Sequence, residues 1–328
     1  MQRLLLLGGL SLSVGSALPS PPLLSLRGGG GEGSQPVVSV KAPPDAYNAF
    51  AAKGAKNALM PASKILHQSI MGGGYVGLGG LLSMTVAGTC PGIASANPGL
   101  QKFIFAALFP VNLLLILTTG GQLFTGNSAA VPAALYEGLI SFPDLVRSWL
   151  ISYVGNIIGC GGLALAVRRR TLGRLDEMAE NRRVSMGVVL SQATYCGLNK
   201  YGTAELALAT LAKKCGSTFG QTVVKAIMCN WLVCMAVFLA GASDDMAGKM
   251  VGIWFPISTF VAIGLEHSVA NMFLLPMGML AGKSTISFAD IIFKNLIPVT
   301  IGNAIAGALV VGAGYSYAFG KLGKDEEA

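Results

Sequence analysis

The stretch Gly264-Leu265-Glu266-His267-Ser268-Val269-Ala270-Asn271 lies in an apolar region, Met250 to Gly282, where Glu266 is the only Asp, Glu, Lys or Arg. A charged side chain at the centre of a membrane helix costs about 2.5 to 3.5 kcal/mol on insertion scales, so one kept there is a candidate functional group. His267 stands beside it. Gly264 and Pro276 flank the pair and predict that the helix carrying it is interrupted.

The rest of the chain supports a membrane setting. Of 328 residues, 52% are hydrophobic and 12% charged, with a mean hydropathy of +0.62. Soluble domains carry about 25% charged residues, so the class is integral membrane protein. The 44 glycines allow membrane helices to approach closely. Lys and Arg number 23 against 15 Asp and Glu, a formal charge of +8. In a membrane protein that excess points to anionic lipid headgroups or to attraction of anions, and no nucleic-acid partner is expected. The six cysteines are scattered without a CxxC pair. No metal or other cofactor is expected.

Residues 1–40 have the form of an address. Arg3 precedes an apolar run, Leu4 to Val14, too short to cross a bilayer, and Gly15-Ser16-Ala17 suits cleavage. The Ser-, Pro- and Gly-rich tail that follows holds no acid before Glu32, and it resembles a plastid transit peptide stacked behind a signal. An ordinary signal with a disordered linker is the alternative. Residues 41–64, broken by Pro43, Pro44 and Pro61, read as a short amphipathic helix on the membrane surface. Residues 65–320 form the transmembrane domain, and 321–328 a polar tail.

Within that domain the charge-free stretches predict spans at Ile65 to Gly88, Phe103 to Tyr136, Ser148 to Val167, Ala226 to Ser243, Met250 to Gly282 and Asn295 to Gly320. A hydrocarbon core of about 30 Å needs near 20 residues of helix, so the second and fifth stretches are too long to be single straight helices. Gly120-Gly121 and Gly126-Asn127 mark the break in the second. Three spans per half is an odd number, so two similar halves insert with opposite orientation, as in inverted-repeat transporters whose site lies at the broken segments. Each half-helix after a break aims its N-terminus, about +0.5 charge and free N–H groups, at the midplane, where it favours anions. The predicted fold is therefore an all-α polytopic membrane protein with six transmembrane helices in two inverted three-helix repeats. Basic residues fall equally on the two sides, so the positive-inside rule does not orient it.

Four motifs carry a resemblance: Gly121-Gln122-Leu123-Phe124-Thr125-Gly126-Asn127, Cys229-Asn230-Trp231-Leu232-Val233-Cys234, Glu266-His267-Ser268-Val269-Ala270-Asn271-Met272, and Asn295-Leu296-Ile297-Pro298-Val299-Thr300-Ile301-Gly302-Asn303. In this order they resemble the formate/nitrite transporter family over about Lys64 to Gly320. The resemblance implies an aquaporin-like homopentamer of six-helix protomers with one pore each. It implies constrictions at Phe109, Leu113, Leu123, Phe124 and Phe260. Thr125 is similar to the flexible-loop threonine, His267 to the central pore histidine, and Asn230 and Asn303 to pore-side asparagines. Lys214 is similar to the vestibule lysine, with the Lys213-Lys214 tandem leaving open which of the two serves. Leu265 stands where the family usually has Phe, and the connection from Arg168 to Gly216 is longer than the family pattern.

Each residue has a plainer reading. His267 could be a structural histidine hydrogen-bonding across helices. Glu266 points about 100° away from it on a helix and suits a supporting role with Asn271. Phe109 and Phe260 would be core residues on sequence alone, Lys214 an interfacial anchor, and His67 an interfacial histidine. The function expected is passage of small monovalent anions, nitrite, formate or related weak acids, proton-linked through the pore histidine His267, with the proton reaching the substrate directly from bulk or by way of His267. An aquaporin-like neutral-solute channel is the alternative, although paired Asn-Pro-Ala turns are absent. An intramembrane hydrolase is disfavoured, because adjacent His267 and Ser268 make a poor base and nucleophile. The protein is not expected to be an enzyme.

Overall fold

The computed structural model describes residues 40–167, 202–281 and 284–326. The targeting reading of the first residues and most of the connection after Arg168 lie outside the described residues. The described part belongs to one compact unit, Val38–Ala328.

Helix α1 (Pro43–Leu59) starts on a proline at its first turn, with Asp45 there and Lys56 in its last turn, both favourable to the helix dipole. Then come α2 (Ala62–Gly88), the short α3 (Pro91–Ala96), α4 (Pro98–Leu108) and α5 (Val111–Thr119). The Asn97 side chain caps α4 by accepting from the Leu100 N–H. After a break come α6 (Phe124–Tyr136) and α7 (Phe142–Val167). The second half repeats the plan with α8 (Gly202–Cys215), α9 (Phe219–Ala242), α10 (Met246–Ile263), a break, α11 (Ser268–Leu280) and α12 (Phe288–Phe319). Helix α12 widens to π geometry over Ile291–Leu296 and Ala306–Ala313.

Among the described residues, six helical segments are long and apolar enough to cross a membrane: α2, α4–α5 taken together, α7, α9, α10 and α12. The all-α fold with six spans, the second and fifth broken, is as expected. The starts differ from the charge-free stretches. Spans begin at Ala62, Phe142, Phe219, Met246 and Phe288, ahead of Lys64, Arg147, Lys225, Lys249 and Lys294. The sequence reading stopped at each first charge. The helices run on, because long basic side chains keep their stems on apolar surface while their heads reach polar partners. Arg147 illustrates this, donating to the Ala58 carbonyl at 2.6 Å, and Lys294 pairs with Asp290 one turn earlier.

The two halves pack alike. Gly155 of α7 meets α2 so closely that a Cβ there would stand 2.5 Å from the Ser69 Cβ. Gly302 of α12 meets α9 in the same way, its Cβ falling 2.6 Å from the Ala226 Cβ. Backbone contact of this kind is how small residues join membrane helices. An additional helix precedes the first span of each half, α1 before α2 and α8 before α9. Each lies against the half-helix after the break of its own half, α1 on α6 and α8 on α11. Four helical elements therefore repeat, one more than the sequence indicated.

Candidate functional site at the two helix breaks

Helix α5 ends at Gly120 and α10 at Gly264, with φ of 87° and 84°. Left-handed backbone of this kind is open to glycine at no steric cost and ends a helix cleanly. Four residues later the chain re-enters helix, at Phe124 and at Ser268. Freed backbone groups at membrane depth must find partners inside the protein, and one asparagine serves each break. Asn156 of α7 accepts from the Phe124 N–H at 2.9 Å and donates to the carbonyls of Ser69 and Gln122. Asn303 of α12 accepts from the Ser268 N–H at 2.9 Å and donates to the carbonyls of Ala226 and Glu266. Asn303 is thus fully buried and engaged with backbone.

A cavity opens at each break. The larger, about 260 Å³, is walled by Phe109, Phe260, Glu266, His267, Lys213 and Lys214, among others. The smaller, about 20 Å³, is walled by Leu113, Leu123, Gln122, Asn127, Asn57 and Lys53, among others. Eight wall residues of the small cavity correspond to wall residues of the large one through a single shift of 144 positions. These are Ile116 with Phe260 (116 + 144 = 260), Leu117 with Val261, Gly121 with Leu265, Gln122 with Glu266, Leu123 with His267, Gly126 with Ala270, Asn127 with Asn271 and Ala130 with Leu274. Phe109 borders the large cavity and Leu113 the small one. They stand four residues apart across the junction of α4 and α5, both buried, so a short apolar neck divides the two mouths.

On the large-cavity side, His267 accepts from the Ala270 N–H through Nδ1 at 2.9 Å, capping α11. A neutral imidazole that accepts at Nδ1 carries its proton on Nε2. The Phe260 ring stacks on His267 with centroids 5.6 Å apart, and Phe109 meets Phe260 edge-on at 6.2 Å. The Glu266 carboxylate turns away from the histidine. Its Oε2 accepts from Lys214 Nζ at 3.0 Å, Asn271 Nδ2 at 2.7 Å and Asn295 Nδ2 at 3.2 Å. Lys214 also donates to the Leu265 carbonyl. The pair is deeply buried, with side chains 13% and 3% exposed for Lys214 and Glu266, so breaking one partner leaves a desolvated charge.

Other predicted site residues lie elsewhere. Thr125 is fully buried, its carbonyl accepting from Ser128 while its hydroxyl has no partner among the described residues. Asn230 donates to Ser128 Oγ and to the Asn303 carbonyl and borders neither cavity. Phe124 packs edge-on against Trp149 and Tyr153, also outside both cavities. His67 is exposed.

Sequence reasoning names Gln122 and Asn295 as members of motifs but gives no site role to them, to Asn156 or to Lys53. The Gly-Asn pairs Gly155-Asn156 and Gly302-Asn303 were the available signal for the braces. Lys53 lies on α1, outside the spans, where burial and then the nearby Lys249 charge push its ammonium down to about 8.

Six spans with two matching helix breaks, and a cavity at each break, define a polytopic membrane protein built on an inverted repeat. A sequence model described as formate/nitrite transporter matches residues 44–317. The chain belongs to the formate/nitrite transporter family, whose members are transporters and channels, not enzymes. It is 39% identical over 285 residues to a Methanothermobacter thermautotrophicus protein named "Probable formate transporter", covering 86% of this chain and 98% of that one. It is 34% identical over 256 residues to a formate channel of Bacillus thuringiensis, covering 78% and 86%. Among solved structures, an FNT family ion channel matches with a TM-score of 0.65 and 28% identity over 84% of this chain and 98% of that one. A pentameric formate channel with formate bound matches with a TM-score of 0.58 and 26% identity, covering 86% and 100%.

Proposed function

We propose that the protein passes small monovalent weak-acid anions, formate or nitrite among them, together with a proton, through the neck between the two cavities. The observation that carries this is His267 at the floor of the large cavity, with Phe260 and Phe109 immediately beside it. A bare anion entering such an apolar neck faces a prohibitive desolvation cost. Its neutral acid costs only about 2 to 7 kcal/mol before any hydrogen bond is made. The lysines of the mouths concentrate the anion. The Nε2–H of His267, which lines the large cavity, donates to it. While Nδ1 caps α11, giving up the Nε2 proton would leave an imidazolate, so the proton comes from solvent in the mouth and His267 acts as a donor of hydrogen bonds only.

Asn230 and Asn303 support the pore walls, and Leu113 and Leu123 close the far side, with Phe124 packed behind them on Trp149 and Tyr153. Names of the relatives point to formate, and the pentameric neighbour supports a homopentamer. The plastid address read from residues 1–40 is tested by a fluorescent fusion of that segment in an algal host. Fluorescence confined to the plasma membrane removes it.

The functional test is formate and nitrite uptake into proteoliposomes under an imposed pH gradient. Uptake is expected to rise as the pH on the substrate side falls. His267→Asn keeps a capping group and retains part of the flux, whereas His267→Phe nearly abolishes it. Uptake indifferent to the gradient, with His267→Phe fully active, would remove both the proton and the histidine from the mechanism.

A further inference from the structure

We propose that the large mouth is also a binding site for a multivalent oxyanion, a dicarboxylate or phosphate-class dianion, held by Lys102, Lys213 and Lys225 and unable to go further. This rests on the transport reading for its consequence, which is that such an anion blocks entry from one side. The described wall of the 260 Å³ cavity holds four lysines and one carboxylate, Lys102, Lys213, Lys214 and Lys225 against Glu266, a net charge of 4 − 1 = +3. Lys214 is already committed to Glu266 at 3.0 Å. The other three come from three different helices, α4, α8 and α9, and none has a carboxylate partner among the described residues.

Their placement suits a ligand better than a packing role. Lys102 and Lys213 are exposed, and Lys225 is partly buried and donates to the Ser217 hydroxyl at 2.9 Å. Lys213 reaches inward: its Nζ lies 3.4 Å from where a Cβ on Gly264 would stand, at the end of α10. Two of the neutral polar side chains in the wall are occupied. Gln101 donates to the Ala87 carbonyl and Thr210 to the Leu206 carbonyl. Recognition therefore falls to charge. A monovalent anion offsets one of three ammonium groups and leaves the other two repelling each other. A dianion offsets two of them and makes charge-assisted hydrogen bonds to several.

Such an anion stops in the mouth. Desolvation rises with the square of the charge, so a dianion would need two protons to enter the Phe109–Phe260 neck. The opposite mouth lacks the site. It is about 20 Å³ and has one lysine, Lys53. Inhibition is therefore one-sided.

Succinate is the probe, added to proteoliposomes from outside or loaded inside, with chloride at matched ionic strength as control. Succinate binding to the purified full chain is followed separately by titration calorimetry. Expected are competitive inhibition of formate uptake beyond that of chloride, and calorimetric binding weakened at least tenfold in the Lys102→Gln/Lys213→Gln/Lys225→Gln protein, each flux being referred to that protein's own uninhibited rate. Succinate that binds no better than chloride, or equally well to the triple variant, overturns the site. Succinate bound by a protein that carries no formate supports the site and overturns the transport reading instead.

Discussion

At Gly120 and at Gly264 the chain performs the same backbone manoeuvre with different side chains. Each break opens on a left-handed glycine and is held by an asparagine from the last helix of its half. Around the first, Gln122 accepts from Asn127 and donates to Gln68, and Asn57 reaches Asn127, so every group is neutral. Around the second, Glu266 takes the place of Gln122, Lys214 supplies the opposing charge, and His267 takes the place of Leu123. The mouths differ accordingly, one wide and lined with lysines, the other narrow with Lys53 alone. Glycine and asparagine make the break, while two side-chain exchanges decide its chemistry. A molecule with near-symmetric backbone thus has one charged break and one neutral break.

The largest effect that would sharpen this contrast is expected at the charged break. Lys214→Met leaves Glu266 ionised and buried with only amide donors, a loss of about 3 to 5 kcal/mol. Lys214→Met combined with Glu266→Gln rebuilds the neutral arrangement of the first break and should regain most of it. Thermal unfolding in detergent, read by size-exclusion of the surviving folded protein, measures both. A double variant no better than Lys214→Met would show that the two breaks are not interchangeable in their polar networks.

Next is a test of equivalence, read as the difference between two matched losses. Asn156→Ala and Asn303→Ala each remove three hydrogen bonds and strand the same kinds of backbone group, at about 1 to 3 kcal/mol per stranded group. The two losses should agree to within about 1 kcal/mol. A severe loss at one site with tolerance at the other would break the comparison at its backbone.

The smallest effect concerns the far ends of the two half-helices. Helix α6 ends at Glu137, which accepts from Tyr47, Ser316 and the Lys321 N–H and so ties α1 and the end of α12 to that end. Helix α11 ends at Ala281 with backbone bonds only. Burial alone would raise the Glu137 carboxyl, but the Ser316 and Tyr47 hydroxyls, the Lys321 N–H and the Lys321 charge outweigh it and hold the carboxyl below its ordinary value. A carboxylate depressed on folding stabilises the fold above its unfolded pKa and loses that contribution as pH falls through its folded value. Glu137→Gln should therefore cost about 1 kcal/mol at neutral pH, with the gap to the parent closing in acid. A gap constant from neutral to acid pH would show that the charge of Glu137 contributes nothing to the clamp.

Much of this was legible before any coordinates. Charge depletion set the membrane class, because ionic groups are costly in hydrocarbon whatever the fold. Run lengths against bilayer thickness set the number of spans and marked the second and fifth as broken, and the paired Glu266 and His267 marked the centre. Span starts were misplaced by several residues for a local reason, since a lysine stem is compatible with helix and a charge count cannot see it. Four things depended on tertiary structure. Asn156 and Asn303 became braces because close approach at Gly155 and Gly302 brings α7 and α12 onto their neighbours. Helix α8 proved to be the counterpart of α1 because both seat on half-helices distant in sequence. Lys214 was distinguished from Lys213 because the side chain that reaches a buried carboxylate depends on where the helix face points. The unequal size of the two mouths followed from packing around an almost repeated backbone. Composition and periodicity report what each segment prefers against lipid or water. Partners across segments are decided by which faces meet, and that information is absent from any single stretch.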